Sequence, residues 1–157
     1  MNQMTIQIDS REKAHAIEKI LSTFRQNCVA YYISKLWVGD YCSLDNPRVV
    51  VDRKQSLLEV CGNMCQQHER FRAECVRAQE AGIKLIILVE HGRGVRSIED
   101  VEGWKNPRLK RSPQATTGKA LAGFMRTMAG KYGVEWHFCE KSQTGSEIIR
   151  LLKGAEA

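Results

Sequence analysis

The chain has 157 residues, with 24 Lys and Arg against 18 Asp and Glu, a net charge of +6 and a pI near 9.1. That length fits one domain, 1–157, able to bury about two-thirds of the surface its unfolded form exposes without disulfide staples, and the basic balance favours a polyanionic partner. The longest apolar run, Leu85 to Val89, is far too short to cross a bilayer, and six cysteines with no signal peptide read as reduced thiols in a cytosolic protein.

Strands and helices alternate along the sequence, which predicts an α/β architecture with a central mixed sheet flanked by helices. Thr5 to Asp9 reads as a short strand. Ile17, Ile20, Leu21 and Phe24 recur at helical spacing, so roughly Arg11 to Asn27 should pack one face on the sheet. Val29 to Leu36 returns as a strand and leads into a hairpin, Val38 to Tyr41 and Val49 to Lys54. The connection, Leu44-Asp45-Asn46-Pro47-Arg48, is rich in turn-setting residues, which places its centre near Asn46.

With that centre Asp40 and Asp52 lie directly opposite, their Cβ atoms about 4.5 to 5.5 Å apart. Two bare carboxylates so close repel unless a proton or a cation is shared between them. Alternation puts Lys54 on the same face as Asp52 and sends Val49, Val51 and Arg53 to the other. One face then carries two carboxylates and an ammonium, the groups that metal-assisted phosphodiester hydrolysis requires: Mg²⁺ is commonly held by one or two carboxylates, and a lysine adds a mobile positive charge.

Beyond the hairpin, Leu57, Leu58, Cys61, Met64 and Cys65 form an apolar helical stripe, and a second helix is expected from His68 to Ala81, ended by Gly82. Ile83 to Val89 is continuously apolar, as a strand covered on both faces would be. Residues 91–117 form an irregular basic loop, with a short helix around Ile98 to Trp104, and Arg93, Lys105, Arg108, Lys110 and Arg111 as candidates to grip a DNA backbone. Leu121 to Tyr132 marks another amphipathic helix and Val134 to Cys139 a strand. Thr144 and Glu147 fit a capping box for a last helix.

Weaker patterns have plainer explanations. Cys61, Cys65 and His68 share a helical face that zinc could use, with His137 and Cys139 in reserve, but cysteine at such positions is ordinarily a small core hydrophobe. Thr116-Thr117-Gly118-Lys119 lacks the earlier glycine of a phosphate loop. Trp37 and Trp104 read as packing or edge residues.

Ile8-Asp9-Ser10-Arg11-Glu12, Val38-Gly39-Asp40-Tyr41 and Val51-Asp52-Arg53-Lys54 match, in order, the D-x-R-E, G-D-Y and E-R-K blocks of the XPF-type nuclease domain, a branch of the PD-(D/E)XK superfamily. Arg70-Phe71-Arg72-Ala73-Glu74-Cys75 resembles the family's helix with an arginine and a Gln-type position, and Leu85 to Glu90 its buried strand ending in glutamate. The resemblance implies a restriction-endonuclease-like fold and a DNA endonuclease using Mg²⁺ or Mn²⁺. Asp40, Asp52 and Lys54 would be catalytic; Asp40 and Asp52, with Glu12 and Asp9, would hold the metal. Arg11 and Arg70 would support the site or the DNA phosphate. Two positions depart from the pattern: Asp52 stands where glutamate is usual, and Leu58, beside Glu59, where the family has a later aspartate.

By the same resemblance the substrate is branched, flap or junction DNA, the assembly a homodimer, and the setting the cytoplasm of a bacterium or a phage-infected host, in replication, repair or recombination. The helix-hairpin-helix module common in the family has no room here. Two other readings are a catalytically idle DNA-binding scaffold and a restriction-type enzyme that reads sequence.

Overall fold

Residues 3–92 and 94–154 are described by a computed structural model. Six strands form one sheet: β1 (Thr5–Ile8), β2 (Ala30–Ile33), β3 (Tyr41–Ser43), β4 (Asn46–Lys54), β5 (Lys84–Glu90) and β6 (Glu135–Cys139), in the order β2-β1-β3-β4-β5-β6. β3 is antiparallel to both neighbours, while β1 with β2, β4 with β5 and β5 with β6 run parallel. The expected mixed sheet is present, in a restriction-endonuclease-like arrangement.

The two faces of β5 explain its unbroken apolar run. Leu85, Ile87 and Val89 enter one core with Leu57, Val60, Phe71, Cys75, Leu121 and Met125, from α2 (Leu57–Cys65), α3 (His68–Glu80) and α5 (Gly118–Tyr132). Ile86 and Leu88 enter the other, with Ile17, Ile20, Leu21, Phe24, Ile148 and Leu152, the last two on α6 (Thr144–Leu152). Burial on both faces is what makes such a strand read as continuous rather than alternating.

Several boundaries moved for identifiable reasons. The first helix, α1, spans Glu18–Gln26 rather than starting at Arg11, because Asp9 organises a turn there: Arg11 N donates to Asp9 Oδ2 at 3.1 Å and Glu12 N to Asp9 O at 3.0 Å. β2 stops at Ile33, and Leu36 N instead donates to Asp9 Oδ1 at 2.8 Å. The capping box at Thr144 does not form. Its hydroxyl donates to Glu90 Oε2 at 2.5 Å, and the N-cap position falls on Gln143 with no side-chain bond. Within 91–117, α4 (Ile98–Glu102) and a 3-10 turn at Pro107–Lys110 supply order, and buried Asn106 ties the segment together by donating to Thr116 O at 2.9 Å.

Candidate active site

Asp40 and Asp52 meet through the β3–β4 register. Tyr41 pairs with Val51, and Asp40 N donates to Val51 O at 2.9 Å, so Asp40, one residue ahead of β3, continues the ladder opposite Asp52. The turn is not centred on Asn46, however. Its tip is Leu44-Asp45, with Ser43 paired to Asn46, and a register shift between Cys42 and Ser43 absorbs the extra residues of β4. That bulge restores the pairing a symmetric turn would have given.

Alternation on β4 then sorts the charges. Asp52 pairs across β5 with Ile87 and Lys54 with Val89, which puts both on the α2–α3 face, whereas Arg53 pairs with Leu88 on the α1–α6 face. Lys54 Nζ sits 3.2 Å from Asp52 Oδ1 and 5.6 Å from the centre of the Phe71 ring. Arg53 bridges two carboxylates: its Nε and Nη2 donate to Glu12 at 2.8 and 3.0 Å, and its Nη1 to Glu90 Oε1 at 2.5 Å. Arg53 N also donates to Asp40 Oδ2 at 2.8 Å, fixing that carboxyl group.

Glu74, absent from the residues selected by sequence, completes the cluster from α3. It accepts from Gly39 N at 3.3 Å and hydrogen-bonds Asp52. Burial, then repulsion from Asp52 and Glu12, holds Asp40 well above the ordinary carboxylate range. Burial and the Asp52 charge push Glu74 up to about 8. Asp52 moves the other way: burial raises it, but the Lys54 ammonium and hydrogen bonds from Glu74 and Asp40 outweigh that and leave it lowered. At neutral pH Glu74 thus keeps its proton, and Asp52 is the carboxylate held by it and by the Lys54 ammonium.

These groups line a cavity of about 250 Å³, with Arg11, Glu12, Glu59, Asn63, Arg70 and Arg77 also in its wall. Glu12 reaches it while its Oε1 accepts from the Tyr41 hydroxyl at 2.9 Å. Asp9, expected among the metal ligands, is not part of the wall. Its carboxylate is fully buried and committed to Leu36 N, Arg11 N and Arg11 Nε, the last at 2.6 Å. Leu58 also lies elsewhere, in a second cavity with Cys61, Cys65 and Arg108. Its neighbour Glu59 therefore supplies the acidic rim, accepting from Gln55 N at 2.6 Å.

The basic loop is not gathered here. Lys105, Arg108, Lys110 and Arg111 are exposed and none lines the acidic cavity, and Arg93 lies outside the described residues. Trp104 packs edge-on to His91 as a packing residue should, whereas Trp37 is exposed. Cys61 is buried in the core, and the His68 ring packs tilted against Phe124, their centres 6.2 Å apart.

Among the described residues no three His, Cys, Asp or Glu side chains converge as a ready-made metal cage. The donor set still suits a hard divalent cation. It consists of carboxylate oxygens whose mutual repulsion a cation relieves, and Mg²⁺ commonly takes only one or two such ligands and fills the rest of its shell with water. Among the same residues no helix is long and apolar enough to cross a membrane.

Comparison with known proteins bears on both fold and family. The ERCC4 domain matches residues 8–152. XPF from Aeropyrum pernix superimposes with a TM-score of 0.66 at 22% identity over 95% of this chain, and its complex with DNA with 0.67 at 21% over 96%. The present chain spans 63% and 64% of those two chains. No curated protein matches. With the family's domain aligned from the end of β1 to the end of α6, around an acidic cavity at the end of β4, the chain belongs to the ERCC4 family of XPF-type nuclease domains.

Proposed function

We propose that this domain is a divalent-metal-dependent DNA endonuclease, selective for branched, flap or junction DNA. The observation that supports it best is the clustering of Asp40, Asp52 and Glu74 around Lys54 in one cavity. Bound Mg²⁺ or Mn²⁺ would supply a Lewis acid for the phosphoryl oxygen and an oriented water as nucleophile. Asp40 and Asp52 would hold it, with Glu74 and Glu12 close by. Lys54 keeps its proton: burial lowers its pKa, but Asp52, Glu74, Glu59 and Asp40 outweigh that and raise it. Its role is therefore to offset negative charge on the phosphoryl group rather than to take up a proton. Arg11 and Arg70 at the rim receive flanking phosphates, and Asp9 orients Arg11 for that purpose.

The test is cleavage of labelled flap, four-way-junction and linear duplex DNA with Mg²⁺, Mn²⁺ or EDTA, comparing wild type with Asp52→Asn. Metal-dependent cutting of the branched substrates, lost by about a thousandfold or more in the variant, is the expected result; removing one aligned electrostatic group alone costs about 10²- to 10³-fold. Binding without cutting in either metal would instead support a scaffold role, and fixed cut sites on linear duplex a restriction-type enzyme. The homodimer follows from the family resemblance, and sedimentation of the intact chain measures it.

A further inference from the structure

We propose that Trp37 is a stacking platform for an unpaired nucleobase, backed by Arg77, at the rim of the acidic cavity. The inference rests on the DNA-binding reading above and extends it to how one strand is recognised.

Trp37 is 69% exposed, more than any other large apolar side chain among the described residues. Its backbone is nevertheless pinned on both sides. Leu36 N donates to Asp9 Oδ1 at 2.8 Å, Val38 is buried, and Gly39 N donates to Glu74 Oε2 at 3.3 Å. Gly39 has φ +70°, and a Cβ there would lie 2.3 Å from Val50 Cγ1, so a larger residue could not take that path. An exposed indole on so constrained a segment loses little further freedom when it binds. The hydrophobic effect gives no reason to leave it open.

The Arg77 guanidinium lies 5.3 Å from the centre of the Trp37 ring. Arg77 also lines the acidic cavity, and among the described residues its buried Nε has no hydrogen-bond acceptor. One side chain thus touches both the acidic cavity and the aromatic ring. The guanidinium backs the indole from the cavity side, and a base stacks on the exposed ring.

Distance fits one strand serving both places. Trp37 precedes Asp40 by three residues, a backbone reach of at most about 11 Å. Stacked nucleotides repeat every 3.4 Å or so along a strand, so a base on Trp37 belongs to one of about three nucleotides next to the phosphate in the cavity. A paired base has both faces occupied within the duplex, so the platform selects a base already unpaired. It thereby marks the boundary between single and double strand.

The experiment measures binding by fluorescence anisotropy in EDTA, so that no cutting occurs, for wild type, Trp37→Ala and Trp37→Phe. Two flap substrates are used, one intact and one carrying abasic residues at the three single-stranded positions nearest the junction. Wild type should prefer the intact flap by about tenfold or more, Trp37→Ala should bind both as weakly as wild type binds the abasic one, and Trp37→Phe should keep most of the preference. The stacking role is overturned if Trp37→Ala retains the wild-type preference, or loses affinity equally on both substrates. Failure of wild type to bind either DNA would instead overturn the nuclease reading, and the platform with it.

Discussion

Replacing Arg53 with Met should cause the largest loss of stability of any single charge removal in this domain. Arg53 is 5% exposed at its side chain and joins Glu90, 2% exposed, to Glu12, 12% exposed, through three hydrogen bonds of 2.5 to 3.0 Å. Glu90 is also bonded by Thr144 and Glu12 by Tyr41, so neither carboxylate can swing out to water without abandoning a second partner. Breaking a buried pair by removing one member costs about 3–5 kcal/mol, because the remaining charge stays buried and uncompensated. Two carboxylates are stranded here, which places Arg53→Met toward the upper end. At about 2.1 cal/mol/K of unfolding entropy per residue, 157 residues convert that loss into a melting point lower by about 9–15 °C. Urea unfolding followed by circular dichroism in EDTA measures it. Arg150→Ala, which removes an exposed pair with Glu147, is the control and should change stability by less than about 0.5 kcal/mol. A loss below about 1 kcal/mol for Arg53→Met would show that the bridge behaves as a solvated surface pair and that the reasoning is wrong.

Asp9 contributes through its backbone and Arg11 partners. Burial raises its pKa, but those donors outweigh burial and lower it, so its stabilisation is complete above the unfolded value of about 3.9 and fades as pH falls through the folded one. Asp9→Asn should be less stable than wild type at pH 7, with the gap closing below about pH 4 in a series of urea titrations. Glu74 has the opposite sign. With a folded value near 8 against about 4.3 unfolded, it makes the metal-free protein less stable as pH rises through that interval, and Glu74→Gln should be the more stable protein at pH 8 while matching wild type near pH 4. Two glycines of α5 should also part company. A Cβ at Gly118 would lie 2.4 Å from Val101 O and 2.5 Å from Trp104 O, so Gly118→Ala should cost about 1–3 kcal/mol, whereas Gly123 has nothing within 4 Å and Gly123→Ala should gain about 0.5–1 kcal/mol, both read from thermal melts.

Much of the fold was legible because periodicity and burial agree. The run from Leu85 to Val89 announced the central strand, and the stripe of Leu57, Cys61 and Met64 announced α2. Misreadings occurred where a polar side chain took a tertiary partner in place of its local one. Asp9 drew Arg11, Glu12 and Leu36 into a turn and so shortened α1 at its start and β2 at its end. Thr144 had the sequence spacing of a cap but gave its hydroxyl to Glu90, fifty-four residues away. Local pattern has no access to such a competitor.

The site divides along the same line. The opposition of Asp40 and Asp52 needed only a ladder with period two, and it survived a mistaken turn because a bulge of β4 restored the register. Glu74 required knowing which face of α3 meets that hairpin. A signal was available: Phe71, Cys75 and Ala78 define the buried face of α3, and Glu74 lies one turn below Ala78 and three residues beyond Phe71, beside that stripe. An acidic residue on the margin of a buried face is expensive unless something compensates it, and here burial and Asp52 keep Glu74 protonated against the Lys54 ammonium and the Gly39 amide, which favour its ionised form. The stretch Arg70 to Cys75 resembles a family helix with a Gln-type position, and in the metal-free protein Glu74 behaves as such an amide would, donating a hydrogen bond to Asp52. The difference between the two emerges only when a cation replaces the proton, since a glutamate can then add a negative charge to the site and a glutamine cannot.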